Sequence, residues 1–117
     1  MGYIEIFREY EEGLKDIEGF SHIVVLWIFH ESEGYNLLVK PLAYKGGLRG
    51  VFVTSHPDGP NHIGVTVVEL LQRKGNMLRV RGVDMADGSP VVDIKPYGHK
   101  YCKRDIRLGW VEKAEKL

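Results

Sequence analysis

The stretch Val92-Asp-Ile-Lys-Pro-Tyr97 brings an acid, a base and a phenol close together. On a strand, Asp93 and Lys95 point to one face while Ile94 points to the other. Such a strand end can serve proton transfer, and it can equally be a plain ion pair; composition leaves both readings open. A second group lies in residues 50–64, where Ser55, His56, Asp58, Asn61 and His62 share a loop with Pro57, Gly59 and Pro60. A rigid loop between two strands, with Asn61 held after Pro60, shapes backbone to grip a ligand. The third group is the turn-rich stretch Asp84-Met-Ala-Asp-Gly-Ser-Pro90.

Other chemistries find less support. A zinc site needs three protein ligands and an open position. His56, Asp58 and His62 share one loop, but Asp58-Gly59 also suits an ordinary turn, and the expectation is no metal. His22 and His30 bracket an apolar run and read as strand-end residues bonded to backbone. Cys102 lies among bases, yet a lone thiol without a paired histidine motif is usually inert. Gly46, Gly47 and Gly50 lack the spacing of a dinucleotide fingerprint, and no phosphate loop, nucleophile elbow or cysteine pair occurs.

The elements that must position these groups are short and β-rich. Residues 3–7 alternate, with Ile4 and Ile6 on one face. Residues 11–17 carry Leu14 and Ile17 at helical spacing, stopped by Gly19. Residues 23–29 are an unbroken apolar run of β-branched and aromatic side chains, which predicts a central strand. Further strands are expected at 35–39, 51–54, 63–72, 77–83 and 91–94, with turns at 74–76 and 87–90. Residues 110–117 read as helical. About seven strands joined by tight turns predict a mainly all-β fold, a small antiparallel β-barrel with one short helix and a C-terminal helical tail.

The chain has 117 residues, 16 basic and 16 acidic, and no net charge. One domain with one core is expected, and a strongly basic nucleic-acid binder is excluded. Charge is nevertheless segregated. Acids dominate residues 5–18, while Lys95, His99, Lys100, Lys103, Arg104 and Arg107 face a single acid, Asp105, in residues 95–107. This run is either a solvated face or a basic lip for a polyanion. One cysteine makes no disulfide framework. No leader or membrane-length apolar run is read, and the expected location is the cytoplasm.

Residues 50–64, Leu78-Arg-Val-Arg-Gly-Val-Asp84 and Asp87-Gly-Ser-Pro-Val-Val-Asp-Ile-Lys-Pro-Tyr97 resemble the TrmO (TsaA-like) family. Glu11 through His22 resembles the family's lead-in to its central strand, and Phe29-His30 its end. The resemblance covers residues 4–97. It implies a small dimeric β-barrel that binds S-adenosylmethionine outside the Rossmann class. It also implies methylation of the exocyclic amine of threonylcarbamoyladenosine beside the tRNA anticodon. By motif, cofactor contacts are expected at His30, Glu31, Ser55, Val65, Gly88, Ser89, Pro90 and Val91, and the loop reading adds Asn61. Phe29, Tyr97, Asp84, Asp87 and Asp93 are candidate neighbours for a sulfonium. Asp93, His30 and Tyr97 are the catalytic candidates, with Asp93 or His30 as base. Lys95, Lys100, Lys103, Arg104 and Arg107 are the expected tRNA contacts.

The family pattern T-R-S-P-x-R-P-N-P-I-G reads Thr54-Ser-His-Pro-Asp-Gly-Pro-Asn-His-Ile-Gly64 here. Ser55 and Gly59 stand where the family has arginines, the residues that hold carboxylate or phosphate bidentately. Protonated His56 and His62 would restore part of that charge. The family's N-terminal strand, with its P-R-Q element, is expected to lack a counterpart before Gly2. The alternative function is a divergent, non-catalytic module of the same fold that binds a small molecule or serves assembly.

Overall fold

The apolar run at 23–29 becomes strand β2 (His22–Ile28) in the interior of a five-stranded sheet. The computed structural model describes residues 1–117. The other strands are β1 (Gly2–Glu5), β3 (Leu38–Val39), β4 (Arg49–Gly50), β5 (Ile63–Lys74), β6 (Met77–Arg81) and β7 (Val91–Pro96). The main sheet runs in the order β1-β6-β5-β2-β7, and every neighbouring pair is antiparallel. The β5–β6 hairpin turns through Gly75, whose φ of 59° is the left-handed conformation that glycine tolerates.

Alternation along β2 sorts its side chains into two faces. Ile23, Val25 and Trp27 pair with Val68, Thr66 and Gly64 of β5 on the core side. They pack with Ile4, Leu14, Leu78 and Val80 into one cluster. On the reverse side, Val24, Leu26 and Ile28 pair with Val67, Val65 and Ile63. Those three β5 side chains are exposed.

The expected closed barrel does not form. β1 bonds only to β6 and β7 only to β2, so the sheet keeps two open edges. β3 and β4 form a separate two-stranded ladder. The expected strand at 51–54 is instead the 3-10 turn Val51–Val53, where the Thr54 hydroxyl donates to the Val51 carbonyl at 2.9 Å. That local bond competes with a sheet ladder for the same backbone. The expected strand at 35–39 shortens to Leu38–Val39.

The short helix also resolves differently, as the 3-10 turns Arg8–Leu14 and Ile17–Gly19. The expected C-terminal helix is only the 3-10 turn Gly109–Lys113. Beyond it the tail is committed to residues 43–45: Lys45 N–H donates to the Glu115 carbonyl at 2.7 Å, and Leu117 N–H donates to Ala43 at 3.0 Å. The radius of gyration is 16.2 Å, against roughly 13 Å for a compact domain of this length. β3, β4 and the tail form an arm separate from the main sheet.

Gly64 faces Trp27 across the β2–β5 ladder, and a Cβ there would overlap the indole ring. Only glycine leaves the ring room to lie flat on the strand. Gly64→Ala is expected to destabilise the fold by about 1–3 kcal/mol through overpacking. A thermal melt several degrees below the parent would show this, and an unchanged melt would contradict it.

Candidate functional site

Three segments meet at the end of β2. Ile28 N–H donates to the Pro90 carbonyl at 2.9 Å, and Phe29 N–H donates to the His62 carbonyl at 2.8 Å. The chain then turns back, with Ser32 N–H on the Phe29 carbonyl at 3.1 Å. One pole of the sheet therefore gathers Phe29, His30 and Glu31 with Asn61–His62 and the turn before β7. In that turn Gly88 has a φ of 82°. The Ser89 amide and hydroxyl both donate to the Ala86 carbonyl.

The pole rests on the core through aromatic contact. The Phe29 and Trp27 rings lie 4.3 Å apart between centroids. Trp27 Nε1 donates to Thr66 Oγ1 at 3.0 Å, and Thr66 in turn donates to Asp84 Oδ1 at 2.6 Å. That relay ties the 82–90 segment to the centre of the sheet. Asp84 was a sequence candidate, but Thr66 and the link between them do not stand out in the sequence, because a relay across 18 and 39 residues leaves no local pattern.

The proline loop is held from within. His62 adopts φ 53° and its Nδ1 donates to the Pro57 carbonyl at 2.8 Å. His56 Nδ1 accepts the Asp58 N–H at 3.1 Å, which places its own proton on Nε2. Asn36 clamps Asp58 twice, side chain to side chain at 2.9 Å and backbone to backbone at 3.1 Å. No group of three or more His, Cys, Asp or Glu side chains is disposed to hold a metal ion.

The sequence candidates divide by position. His30 Nε2 and Glu31 Oε1 are 3.9 Å apart just past the end of β2, whose Ile28 N–H bonds the Pro90 carbonyl of the Gly88–Pro90 turn. Val91 opposite Trp27 packs on the core, and Val65 stands on the reverse face opposite Leu26. Ser55 lies at the other end of the proline loop, in the wall of a cleft formed with the arm. Tyr97 does not join His30. Its N–H donates to the His22 carbonyl at 3.3 Å, at the far end of β2. At about 3.3 Å per residue, His22 and Phe29 are roughly 23 Å apart.

Asp93 sits between these ends, opposite Leu26. Lys95 Nζ reaches Asp93 Oδ2 at 3.1 Å, so the expected shared face is an ion pair. The hydrogen bond from Lys95, followed by that from the Ile94 amide at 2.8 Å, holds the Asp93 carboxyl below the usual aspartate range. A carboxylate stabilised in this way is a weak proton acceptor.

Around Tyr97 lies an aromatic cluster. Tyr97 and Tyr101 stack 5.7 Å apart, and Lys100 Nζ is 5.2 Å from the Tyr101 ring centre. The Tyr97 hydroxyl is 3.4 Å from Cys102 Sγ, a contact that raises the phenol's pKa. Lys103, Arg104 and Arg107 are exposed beyond it.

A sheet whose neighbouring strands are all antiparallel, with its loops gathered at one pole, is a β-sheet domain and not a Rossmann-type one. The chain belongs to the TrmO family: residues 1–102 match the model of the tRNA-methyltransferase O N-terminal domain. It is 50% identical over 113 residues to a probable S-adenosyl-L-methionine-binding protein of Pyrococcus abyssi, spanning 96% of this chain and 61% of that one. It is 43% identical over 94 residues to mouse (Mus musculus) tRNA (adenine(37)-N6)-methyltransferase, spanning 79% of this chain and 22% of that one. The crystal structure of TrmO from Pseudomonas aeruginosa superposes with a TM-score of 0.75 at 32% identity, covering 93% of this chain and 47% of that one. The chain thus spans only part of the length of these relatives. No helix is long and apolar enough to cross a membrane.

The Asp93–Lys95 pair has a pH signature. A depressed folded-state pKa contributes stability above the unfolded value, lost as pH falls through the folded one. Carboxyl NMR should find Asp93 titrating below an ordinary aspartate. In Lys95→Ala the midpoint should move upward, and an unmoved midpoint would show that Lys95 is not the cause.

Proposed function

We propose that this chain binds S-adenosylmethionine and methylates the exocyclic amine of threonylcarbamoyladenosine beside the tRNA anticodon. The observation that carries the reading is the likeness to tRNA (adenine(37)-N6)-methyltransferase, with the motif string 87–97 entering the sheet at the loop-bearing pole.

The residues at the pole fit a sulfonium cofactor. The Phe29 ring and the exposed Glu31 carboxylate provide the π-face and negative charge that a sulfonium favours. Backbone at Gly88–Val91 and the side chains of Asn61, Ser55 and Val65 complete the proposed contact set. When bound, the cofactor supplies an electrophilic methyl whose C–S electron pair returns to sulfur as the C–N bond forms. Positioning then provides much of the catalysis.

The amine must also lose a proton, since nitrogen conjugated to a carbonyl is a poor nucleophile. His30 is the proposed acceptor, as it stands at the pole with Glu31 beside it. Asp93 is bound to Lys95 and held ionised, which leaves it a positioning role. Tyr97 lies too far along β2 to touch the same reacting atoms. His30→Ala should lower the rate on the order of 100-fold, while Asp93→Asn retains most of it. Parental turnover in His30→Ala would remove His30 from this role.

Residues 1–117 are proposed to act as one domain in a cytoplasmic homodimer, the open sheet edges and exposed Ile63, Val65 and Val67 offering apolar and unpaired surface for a partner. Calorimetric titration with the cofactor tests binding, and transfer of labelled methyl to tRNA tests catalysis. At 100 times its dissociation constant the cofactor should stabilise the fold by about 2.7 kcal/mol. A flat titration together with no methyl transfer would instead support a non-catalytic module, the reading that Ser55 and Gly59 favour.

Lys95, Lys100, Lys103, Arg104 and Arg107 are proposed to meet phosphates of the anticodon arm. Alanine at Lys100, Lys103 and Arg104 should lower tRNA affinity and flatten its salt dependence, by on the order of 0.7 in slope per lost single-strand contact. Cofactor affinity should stay unchanged. A triple variant that binds tRNA like the parent at every salt concentration would make the run a solvated face.

A further inference from the structure

The proline loop carries His56 and His62, and the two rings are bonded in opposite senses. His62 Nδ1 donates to the Pro57 carbonyl at 2.8 Å. A proton added to that ring leaves the bond intact. His56 Nδ1 instead accepts the Asp58 N–H at 3.1 Å. A proton added there turns the acceptor into a donor, and the bond is lost. The His56 side chain is only 15% exposed, in the wall of the aromatic cleft that Tyr44 and Trp110 line between arm and tail.

The bond that His56 accepts is that of an Asx turn, with an imidazole nitrogen in place of the usual side-chain oxygen. Its surroundings are fixed. The His56 N–H is donated to Thr54 Oγ1 at 3.3 Å, and that hydroxyl donates to the Val51 carbonyl. Pro57 has a ring-locked φ, and its carbonyl is held by His62. Asp58 is therefore the residue that moves when the bond is lost. Its carboxylate Oδ2 already stands 3.9 Å from His56 Nδ1, so the imidazolium has an acceptor at hand. The tail turn and residues 41–44 present Trp110, Val111 and Tyr44 to the cleft, and of these only Tyr44 is ionisable. Arg49 lies 5.3 Å from the Trp110 centroid, and His62 shares the loop. Of these groups only Asp58 favours a cation at His56.

We propose that His56 is a proton-operated latch on the proline loop. Neutral, it accepts the Asp58 N–H and the turn over residues 56–58 is closed. Protonated, its Nδ1 donates to the Asp58 carboxylate and the turn opens. The closed turn also carries the clamp to Asn36. Asn36 Nδ2 donates to the same Asp58 Oδ2 at 2.9 Å, and the Asn36 N–H donates to the Asp58 carbonyl at 3.1 Å. Opening the turn therefore loosens the proline loop from the segment that follows His30 and Glu31. Histidine is the side chain that changes charge between about pH 5 and 8, which makes mild acid the signal. With Ser55 and Gly59 in place of the family's arginines, the loop has no permanent charge at those positions. The charge that His56 restores is conditional, and it is coupled to the position of Asp58.

The test follows the amide and imidazole NMR signals of the intact chain across the histidine range, from about pH 8 to about pH 5. At the upper end the His56 ring should carry its proton on Nε2 alone. As the pH falls, the Asp58 amide signal should move toward the position of an unbonded amide. The Asn36 backbone and side-chain amides should move with the same midpoint as the His56 ring. His56→Asn keeps an Asx-turn acceptor for the Asp58 N–H but takes up no proton. In that variant the movement should vanish, while the spectrum at the upper pH stays close to the parent's. Asp58→Asn removes the carboxylate that receives the cation, so the His56 midpoint should fall.

An Asp58 amide signal that stays in place while His56 titrates would overturn the latch. So would movement of parental size in His56→Asn, which would assign the change to another group. Should His56→Asn fail to fold, the parent's ring spectrum decides. Neutral His56 with its proton on Nδ1 contradicts the bond on which the latch rests, whereas a proton on Nε2 with coincident midpoints at His56, Asp58 and Asn36 supports it. These readouts need neither cofactor nor tRNA, so they are independent of the methyltransferase reading.

Discussion

The indole of Trp27 lying flat on Gly64 is the contact on which the rest of the structure depends. It closes the core between β2 and β5 at the end nearest the loops. Its Nε1 begins the relay through Thr66 to Asp84, and its ring supports Phe29. Packing, a buried polar group's need for a partner, and the placement of the pole are thus met by one side chain. Loops with few buried residues of their own acquire fixed positions because they are bonded to this rigid point.

Around that point the proposed roles separate along β2. One pole holds His30, Glu31 and the turn before β7, with open backbone and carboxylates that suit a cationic ligand. The other end holds Tyr97, Tyr101 and the basic run, which suit an extended polyanion. The roughly 23 Å between them is too long for one small ligand and short against a folded RNA. Asp93 and Lys95 lie between the two as an exposed ion pair.

The arm and tail form a second construction that is barely part of the sheet. Its ladder has two short strands, and its stability comes from Trp110, Tyr44 and the backbone bonds between residues 43–45 and 115–117. The aromatic cleft exists only because this tail folds back. Its joining contact, Trp110 to Val53, crosses 57 residues.

Much of the sheet was legible in the residues themselves. The β-branched run at 23–29, the alternation at 3–7 and the hairpin around Gly75 carry local signals of period and turn chemistry, and each became a strand or a turn close to its expected place. Asp93 and Lys95 on one face follow from the same period of two. The TrmO-like strings identified the family because they are long and residue-specific. Barrel closure was not legible, since it depends on whether β1 and β7 find each other, and no local pattern encodes an absent pairing. Residues 51–54 and 110–117 misled for a related reason: their β-branched and helical compositions were overridden by the Thr54 hydroxyl and by tail bonds to residues 43–45. The separation of Tyr97 from His30, the relay from Trp27 to Asp84, and the cleft around Trp110 belong to tertiary structure alone. Each depends on contacts between residues distant in sequence, and a linear pattern records neighbours along the chain, not neighbours in space.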